Sequence, residues 1–283
     1  MAAGLGWGAA LGLALGALVV APAIDDARGG AAPEQQPEAR DTRAEETEAR
    51  ADAASDLLAQ ESEKLVAGTL KGSAVVVLRA PDAEPADVDR VRRLLDAAGA
   101  DNAGELDLTE KFTSQEGADE LSSVVANTLP AGTQLSVENR SPGTHAGESL
   151  SAALFTDAAG QPRATPEDRD FVLGTLADAG FISRPDAGLM AADAAVLVTG
   201  PAAADGDGPT FADGVLADLA AALQGQMAPV VVASPDSGRD GGIAAALSGR
   251  GGDSVPYRGV VDTDAGAVLT VRDVRAAIDA RQG

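Results

Sequence analysis

The chain has 283 residues, with 21 basic and 44 acidic side chains and a formal net charge of −23. This charge argues against a nucleic-acid partner, because phosphate neutralisation needs clustered Lys and Arg, and against docking on an anionic membrane surface. The sequence contains no cysteine, which excludes disulfides, thiolate metal ligands and a cysteine nucleophile.

An uncharged run opens the chain. Residues 5–24 hold no charged side chain, and their number matches a helix that spans a hydrocarbon core. Ala21-Pro22-Ala23 also has the small-x-small pattern of a signal cleavage site. We therefore predict that residues 1–24 are a transmembrane or signal segment, either kept as an anchor or cleaved. Both outcomes place the bulk of the chain outside the cytoplasm, in the cell envelope, and the first makes the membrane a partner through residues 5–24.

A polar connection follows the apolar run. Residues 25–37 are rich in Gly, Pro and Asp and predict a linker. Residues 38–70 consist mostly of helix formers and predict a helical stalk. The stalk is either a solvated single helix or a weak coiled coil, since its loosely spaced apolar positions are mostly Ala. A homo-oligomer that assembles through the stalk or the membrane helix is therefore an open expectation.

Residues 71–283 alternate apolar runs with amphipathic stretches. The run SAVVVLR (73–79) is typical of a strand buried on both faces, and a helix is predicted to open at Pro85. Further strands are predicted at 104–109, 194–200, 229–234 and 255–261, and further helices at 117–129, 167–179, 211–223, 243–247 and 271–278. This alternation predicts one extracytoplasmic α/β domain, a parallel sheet with helices on both faces.

Several blocks of this region resemble one protein family in the same order. They include LKGSAVVVLRAPDA (70–83), ELSSVVANTLPAGTQLS (120–136), THAGESLSAALF (144–155) and YRGVVDTDAGAVLTVRDV (257–274). Their order and spacing are similar to those of the MctB family, copper transport proteins of the actinobacterial cell envelope. The resemblance implies copper efflux or copper homeostasis, with copper as the transported ion and not a resident cofactor. It also implies an apolar N-terminal segment, a helical stalk, one α/β domain, and a pore in the outer envelope.

Few side chains suit copper. Cu(I) prefers thiolate and thioether ligands and Cu(II) prefers imidazole, whereas the chain offers one His and three Met. His145 is predicted in a turn-rich loop, where it is either a solvated residue or a weak metal ligand. Met190 and Met227 are either packing residues or weak metal ligands. No tight mononuclear copper site is predicted within one chain.

Carboxylates offer a different kind of site. Asp205 and Asp207 follow the strand predicted at 194–200, and Asp236 and Asp240 follow the strand predicted at 229–234. Ligands bind at the carboxyl ends of strands in open α/β sheets, so these residues are candidate ligands for a hard cation or a polar small molecule. The alternative is that these Asp-Gly pairs only form turns.

The sequence carries no enzyme motif that we recognise. It lacks a nucleophile elbow, a P-loop, a paired-His zinc motif and a dinucleotide fingerprint. No catalytic residue is predicted, and we do not expect the chain to be an enzyme. The alternative to copper transport is a membrane-tethered extracytoplasmic α/β binding or scaffold module without a copper role.

Overall fold

The computed structural model describes residues 36–130, 132–184, 188–203, 208–238, 241–250 and 254–282. The predicted segment 1–24, and the predicted linker up to residue 35, lie outside this description. The chain divides into two units, Met1–Arg50 and Ala51–Gly283. Helix α1 (Gln36–Val66) begins in the first unit and ends in the second. Within the ranges given above, no helix is both long enough and apolar enough to cross a membrane.

Six strands form one sheet. They are β1 (Ala74–Arg79), β2 (Asp101–Leu108), β3 (Ile182–Ser183), β4 (Ala194–Val198), β5 (Val230–Ala233) and β6 (Tyr257–Arg258). Their order across the sheet is β3-β2-β1-β4-β5-β6. All neighbours are parallel except β3, which pairs antiparallel with the end of β2. The predicted α/β class is confirmed, and the sheet is mostly parallel, with β3 as an antiparallel edge strand that was not predicted. β3 has only two residues, too few to show an apolar run that indicates a strand.

Eight helices accompany these strands in the described part of residues 71–283. They are α2 (Pro85–Ala97), α3 (Glu110–Thr113), α4 (Ala118–Asn127), α5 (Pro142–Leu154), α6 (Pro166–Asp178), α7 (Phe211–Gly225), α8 (Gly242–Gly249) and α9 (Asp264–Gln282). Six of them match the predicted helices, whereas α3 and α5 were not predicted.

Helix α5 corrects the prediction of a turn-rich loop around His145. The Ser141 hydroxyl accepts a hydrogen bond from the Thr144 N–H at 3.1 Å, and Pro142 occupies the first helical position. A Ser cap followed by Pro favours helix initiation, because both satisfy the constraints of the first turn. His145 therefore lies on a helix.

The strands present opposite faces to two groups of helices. Val75 and Val77 pack in a core with α2 and α9, whereas Val76 and Leu78 pack in a second core with α4, α5, α6, α7 and α8. All five residues of β4 are buried. This burial agrees with the continuous apolar runs, which are typical of strands covered on both sides.

Helices α5 and α7 approach closely because α5 carries glycine where they cross. A Cβ atom on Gly143 would collide with the Val215 carbonyl oxygen. A Cβ atom on Gly147 would lie 2.7 Å from both the Leu219 carbonyl oxygen and the Ala222 Cβ. Only glycine therefore permits this helix pair to pack at its observed separation.

A candidate ligand cleft at the switch point of the sheet

The centre of the sheet contains a change in chain direction. After β1 the chain enters α2 on one face, and after β4, the neighbour of β1, it reaches α7 on the opposite face. The strand that follows β1 lies on one side of this pair, and the strand that follows β4 lies on the other. Such a switch point opens a crevice beyond the carboxyl ends of the two strands, where ligands bind in open α/β sheets.

A cavity of about 300 Å³ occupies this position. The loop after β1 contributes Pro81 and Asp82, and the loop after β4 contributes Pro201 and Ala203. Helices α3 and α7, with the cap of α7, supply the remaining wall: Glu110, Thr113, Thr210, Ala212, Asp213 and Leu216. We call this cavity the switch-point cleft.

Close contact between the two loops forms the base of the switch-point cleft. The Ala80 N–H donates to the Val198 carbonyl at 2.9 Å. A Cβ atom on Gly200 would collide with the carbonyl oxygen of Asp82, so glycine is needed for the loops to touch. This contact fixes Asp82 beside the end of β4.

The three carboxylates of the switch-point cleft differ in whether they have hydrogen-bond partners in the described structure. Asp213 belongs to the cap of α7, because its Oδ2 accepts from the Thr210 N–H at 2.8 Å and from the Thr210 hydroxyl at 2.7 Å. Asp82 and Glu110 are exposed, and their carboxylates have no hydrogen-bond or ion-pair partner among the described residues. No basic side chain lines the cleft in that part of the chain. The cleft therefore offers oxygen ligands that suit a hard cation or a polar molecule with donor groups.

A buried hydroxyl lies at the end of β4. Thr199 is 2% exposed, and its N–H donates to the Ala233 carbonyl at 2.9 Å. Its Oγ1 has no partner in the described residues. Buried polar groups are nearly always hydrogen-bonded, so this hydroxyl is an exception within the sheet.

Of the four predicted aspartate ligands, the structure describes only Asp236. Its Oδ2 accepts from the Ala202 N–H at 2.7 Å and from the Ser234 hydroxyl at 3.2 Å. Asp236 therefore braces the loop that lines the switch-point cleft and is not itself in the wall. Asp205, Asp207 and Asp240 lie outside the described residues, although Ala203 and Thr210, which flank the first two in sequence, both line the cleft.

The predicted copper ligands occupy separate places. His145 lies on α5, with its Nε2 3.1 Å from the Ser136 carbonyl oxygen. Because a carbonyl oxygen only accepts, the His145 Nε2–H is the donor. Met190 and Met227 are 55% and 58% exposed, which corrects their interpretation as packing residues. Within the described ranges, no group of three His, Cys, Asp or Glu residues could hold a metal ion.

Met190 lines a second cavity, of about 620 Å³, at the β2 edge of the sheet. The Met190 N–H donates to the Ala103 carbonyl at 3.0 Å, which holds its loop against β2. Gly104 has a φ of +112°, and a Cβ atom there would lie 2.5 Å from Leu189 Cδ2. Glycine at this position therefore allows the loop to cover the strand.

Two carboxyl groups share the wall of this β2-edge cavity. Burial raises the pKa of Glu105 above its ordinary value; the neighbouring Asp107 adds to that rise, whereas Arg92, 3.4 Å away, opposes it. Asp107 Oδ1 is buried and has no hydrogen bond within the described structure. Burial and the second carboxyl thus favour the protonated form of Glu105.

The pH dependence of stability should report this shift. Above the ordinary glutamate pKa, folded Glu105 still holds a proton that the unfolded chain has lost, so the free energy of unfolding falls as pH rises through the raised pKa. Glu105→Gln should make this fall shallower in denaturant titrations at a series of pH values. Glu116→Gln, at an exposed position, is the matched control and should keep the wild-type slope. Equal slopes in both variants would contradict the assignment.

Comparison with known proteins places the chain in a family. A family model described as "Copper transport outer membrane protein, MctB" matches residues 2–283. The copper transporter MctB of Mycobacterium tuberculosis (strain ATCC 25618 / H37Rv) is 36% identical over 126 residues, and so is that of Mycobacterium bovis. The Mycobacterium leprae protein of the same name is 37% identical over 122 residues.

These pairwise matches cover only part of each protein. The match to the M. tuberculosis protein takes in 44% of this chain and 40% of the relative. The match to the M. leprae protein takes in 42% and 38%. The family model, in contrast, extends over nearly every residue, from the apolar N-terminal run to the last helix. On that match, the chain belongs to the MctB family.

Proposed function

We propose that this chain acts in copper transport and copper homeostasis in the cell envelope, in the direction of export. The single observation that supports this is the family match over residues 2–283, together with mycobacterial relatives that are named copper transporters. The chain is proposed to bind and move a ligand, not to catalyse a reaction.

The proposed role does not require a tight copper site. A transported ion has to leave again, so a few exposed and weak ligands suit export better than a closed coordination cage does. Met190, an exposed thioether beside the carboxyls of the β2-edge cavity, is the described residue that best fits a passing contact with Cu(I). His145, with its ring nitrogen bonded to a carbonyl, fits this role less well. So does Met227, which lies in the turn after α7 and does not line the β2-edge cavity.

The proposal includes a location and an arrangement. Residues 1–24 would anchor the chain, residues 38–70 would act as a stalk, and the α/β domain would lie on the extracytoplasmic side. A conducting path would then need several copies, joined through the stalk or the membrane segment, because each chain contributes one span of suitable length.

Growth of bacteria under copper load tests the role. A deletion strain should grow poorly at copper concentrations that the parent tolerates, and the full chain should restore growth. A chain that lacks residues 1–30 but carries an independent export signal should fail to restore it, since the anchor is proposed to take part in export. Normal growth of the deletion strain under copper load would contradict the proposed function.

A second candidate function is a tethered binding module without a copper role. The switch-point cleft favours it, because its wall offers oxygen groups from Asp82, Glu110 and Thr113 and no sulphur or imidazole. Such a wall suits Mg²⁺ or Ca²⁺ better than Cu(I). The pair of substitutions Asp82→Asn and Glu110→Gln separates the two candidates.

This double variant should keep its stability, because neither carboxylate has a partner in the described residues. Asp213→Ala, in contrast, should lose about 1 kcal/mol of unfolding free energy, since it breaks the capping box of α7. If the binding-module account holds, the double variant loses Ca²⁺ binding in calorimetry and retains copper tolerance. Unchanged Ca²⁺ binding, or none in the wild type, would contradict the cleft as a cation site.

A further inference from the structure

A third cavity, of about 470 Å³, lies beside α5. None of the described residues that line it carries sulphur or imidazole, the groups that copper prefers. Six polar side chains line it, namely Thr133, Gln134, Glu148, Ser151, Arg163 and Gln226. Two of them carry opposite charges. We call this cavity the α5 cavity.

Arg163 is held in place without a carboxylate partner. Its Nε donates to the Thr156 carbonyl at 3.0 Å, Nη1 to the Ser151 hydroxyl at 2.9 Å, and Nη2 to the Met227 carbonyl at 3.3 Å. A guanidinium has five N–H donors, so two remain. Within the described structure no carboxylate oxygen lies within 4.0 Å of this guanidinium. Burial lowers the pKa of Arg163, and the like charge of Arg281 adds to this, whereas the more remote carboxylate of Asp157 opposes it. A partly buried cation in this state favours an anionic ligand.

Glu148 supplies the opposite charge in the same wall. It is 8% exposed, and its Oε2 accepts from the Ser136 N–H at 2.8 Å. Its Oε1 accepts no hydrogen bond from the described residues. A buried carboxylate is rare unless it is paired, so Glu148 favours a cationic ligand group.

The positions of Glu148 and Arg163 in the cavity wall indicate which ligand can contact both. Glu148 and Ser151 are three residues apart on α5, and such neighbours have Cβ atoms about 5–6 Å apart. Ser151 in turn binds Arg163 directly, at 2.9 Å. The guanidinium and the carboxylate form no ion pair in the described structure, and both line the same cavity, so one small molecule in it can contact both.

We propose that the α5 cavity binds a small zwitterion of the amino-acid class, with its carboxylate on Arg163 and its ammonium on Glu148. The amide side chains of Gln134 and Gln226 complete a polar wall around the ligand. The proposal concerns a different cavity from the switch-point cleft and does not depend on a copper role.

Calorimetry on the full chain tests this with L-alanine as the probe. Saturable binding is expected in the millimolar range or tighter, and acetate and ethylammonium, which each carry one of the two charges, should bind at least ~10-fold more weakly. Glu148→Gln keeps the shape and the acceptor for Ser136 and should weaken alanine binding by ~10-fold or more. Arg163→Lys keeps the charge without the planar fork and should weaken it as well.

The matched controls are Glu138→Gln and Arg140→Gln, which remove the same charges from exposed positions outside the cavity. Both should bind L-alanine like the wild type. The proposal is overturned if L-alanine shows no saturable binding, if acetate binds as tightly as L-alanine, or if Glu148→Gln binds like its control. Circular dichroism on each variant verifies that the fold is retained, and Glu148→Gln remains informative if Arg163→Lys unfolds.

Discussion

Replacing Gly147 by leucine should lower the free energy of unfolding by about 3 kcal/mol or more, as extra side-chain volume in a packed core costs 1–3 kcal/mol and sometimes more. Gly147 lies where α5 crosses α7, and even its first added atom would meet backbone: a Cβ atom would lie 2.7 Å from the Leu219 carbonyl oxygen. A backbone carbonyl cannot rotate away as a flexible side chain can. The helices would have to separate, which would open gaps between residues that are now buried on both.

The direction of the stability change caused by a smaller substitution, Gly147→Ala, tests the helix crossing more decisively. Gly147→Ala should destabilise the protein although alanine favours a helix over glycine by about 1 kcal/mol. Gly174→Ala on α6 is the matched control, because its Cβ would meet only Arg184 Nη2, at 3.7 Å, an ordinary contact. The control should leave stability unchanged or raise it by up to about 1 kcal/mol. If both alanine variants are equally stable in guanidinium titrations, the close crossing of α5 and α7 is wrong.

Replacing Asp193 by alanine should cost about 3 kcal/mol, since it strips several buried partners of their acceptor at once. Asp193 directly precedes β4. Its Oδ2 accepts from the Ala74 N–H at 2.9 Å, and its Oδ1 from the Thr156 hydroxyl at 2.7 Å. The same Oδ1 lies 3.4 Å from Arg281 of α9, whose side chain is 5% exposed. Asp193 thus ties the starts of β1 and β4 to the last helix.

The variants of Asp193 separate charge from hydrogen bonding. Asp193→Asn keeps one acceptor and should lose less stability than Asp193→Ala, while leaving Arg281 without its counter-charge in the described structure. Asp178→Ala, which removes an exposed aspartate at the end of α6, should change stability by less than about 0.5 kcal/mol. Thermal unfolding followed by circular dichroism measures all three. A loss from Asp193→Ala no larger than that of the Asp178 control would refute this network.

The centre of the sheet could be predicted from sequence because β1, β4 and β5 are buried on both faces. Continuous apolar runs predicted β1, β4 and β5, and Pro85 predicted the start of α2. The amphipathic stretches between them gave the layers of helices. Boundaries were less accurate: β6 is only Tyr257–Arg258, within a predicted strand of seven residues. Short edge strands bury little, so composition constrains them weakly.

Helix α5 escaped prediction because its glycines obscure the helical pattern. Gly143 and Gly147 are unfavourable in an isolated helix and are explained only by the approach of α7, a contact distant in sequence. The cap Ser141 followed by Pro142 was the available signal. On α6, Phe171 is 60% exposed beside the buried Val172. Adjacent residues on a helix point about 100° apart, so one of this pair had to face outward.

The candidate sites depended on tertiary structure more than the fold did. The rule that ligands bind at carboxyl ends of strands drew attention to the loops after β4 and β5, and the loop after β4 lines the switch-point cleft. It could not show that Asp236 would turn inward to brace Ala202, nor that Asp82, from the loop after β1, would line the switch-point cleft. Which strands are neighbours decides which loops meet, and strand order was not predicted from the sequence.

Cell-associated copper under copper load tests the proposed role most directly. The measurement compares the parent strain, a deletion strain, and the deletion strain complemented with the full chain, by elemental analysis of washed cells. If the chain takes part in copper export, deletion raises cell copper and the full chain restores the parental level. If deletion leaves cell copper unchanged, the transport role is contradicted, and the tethered binding module with its switch-point cleft becomes the better account.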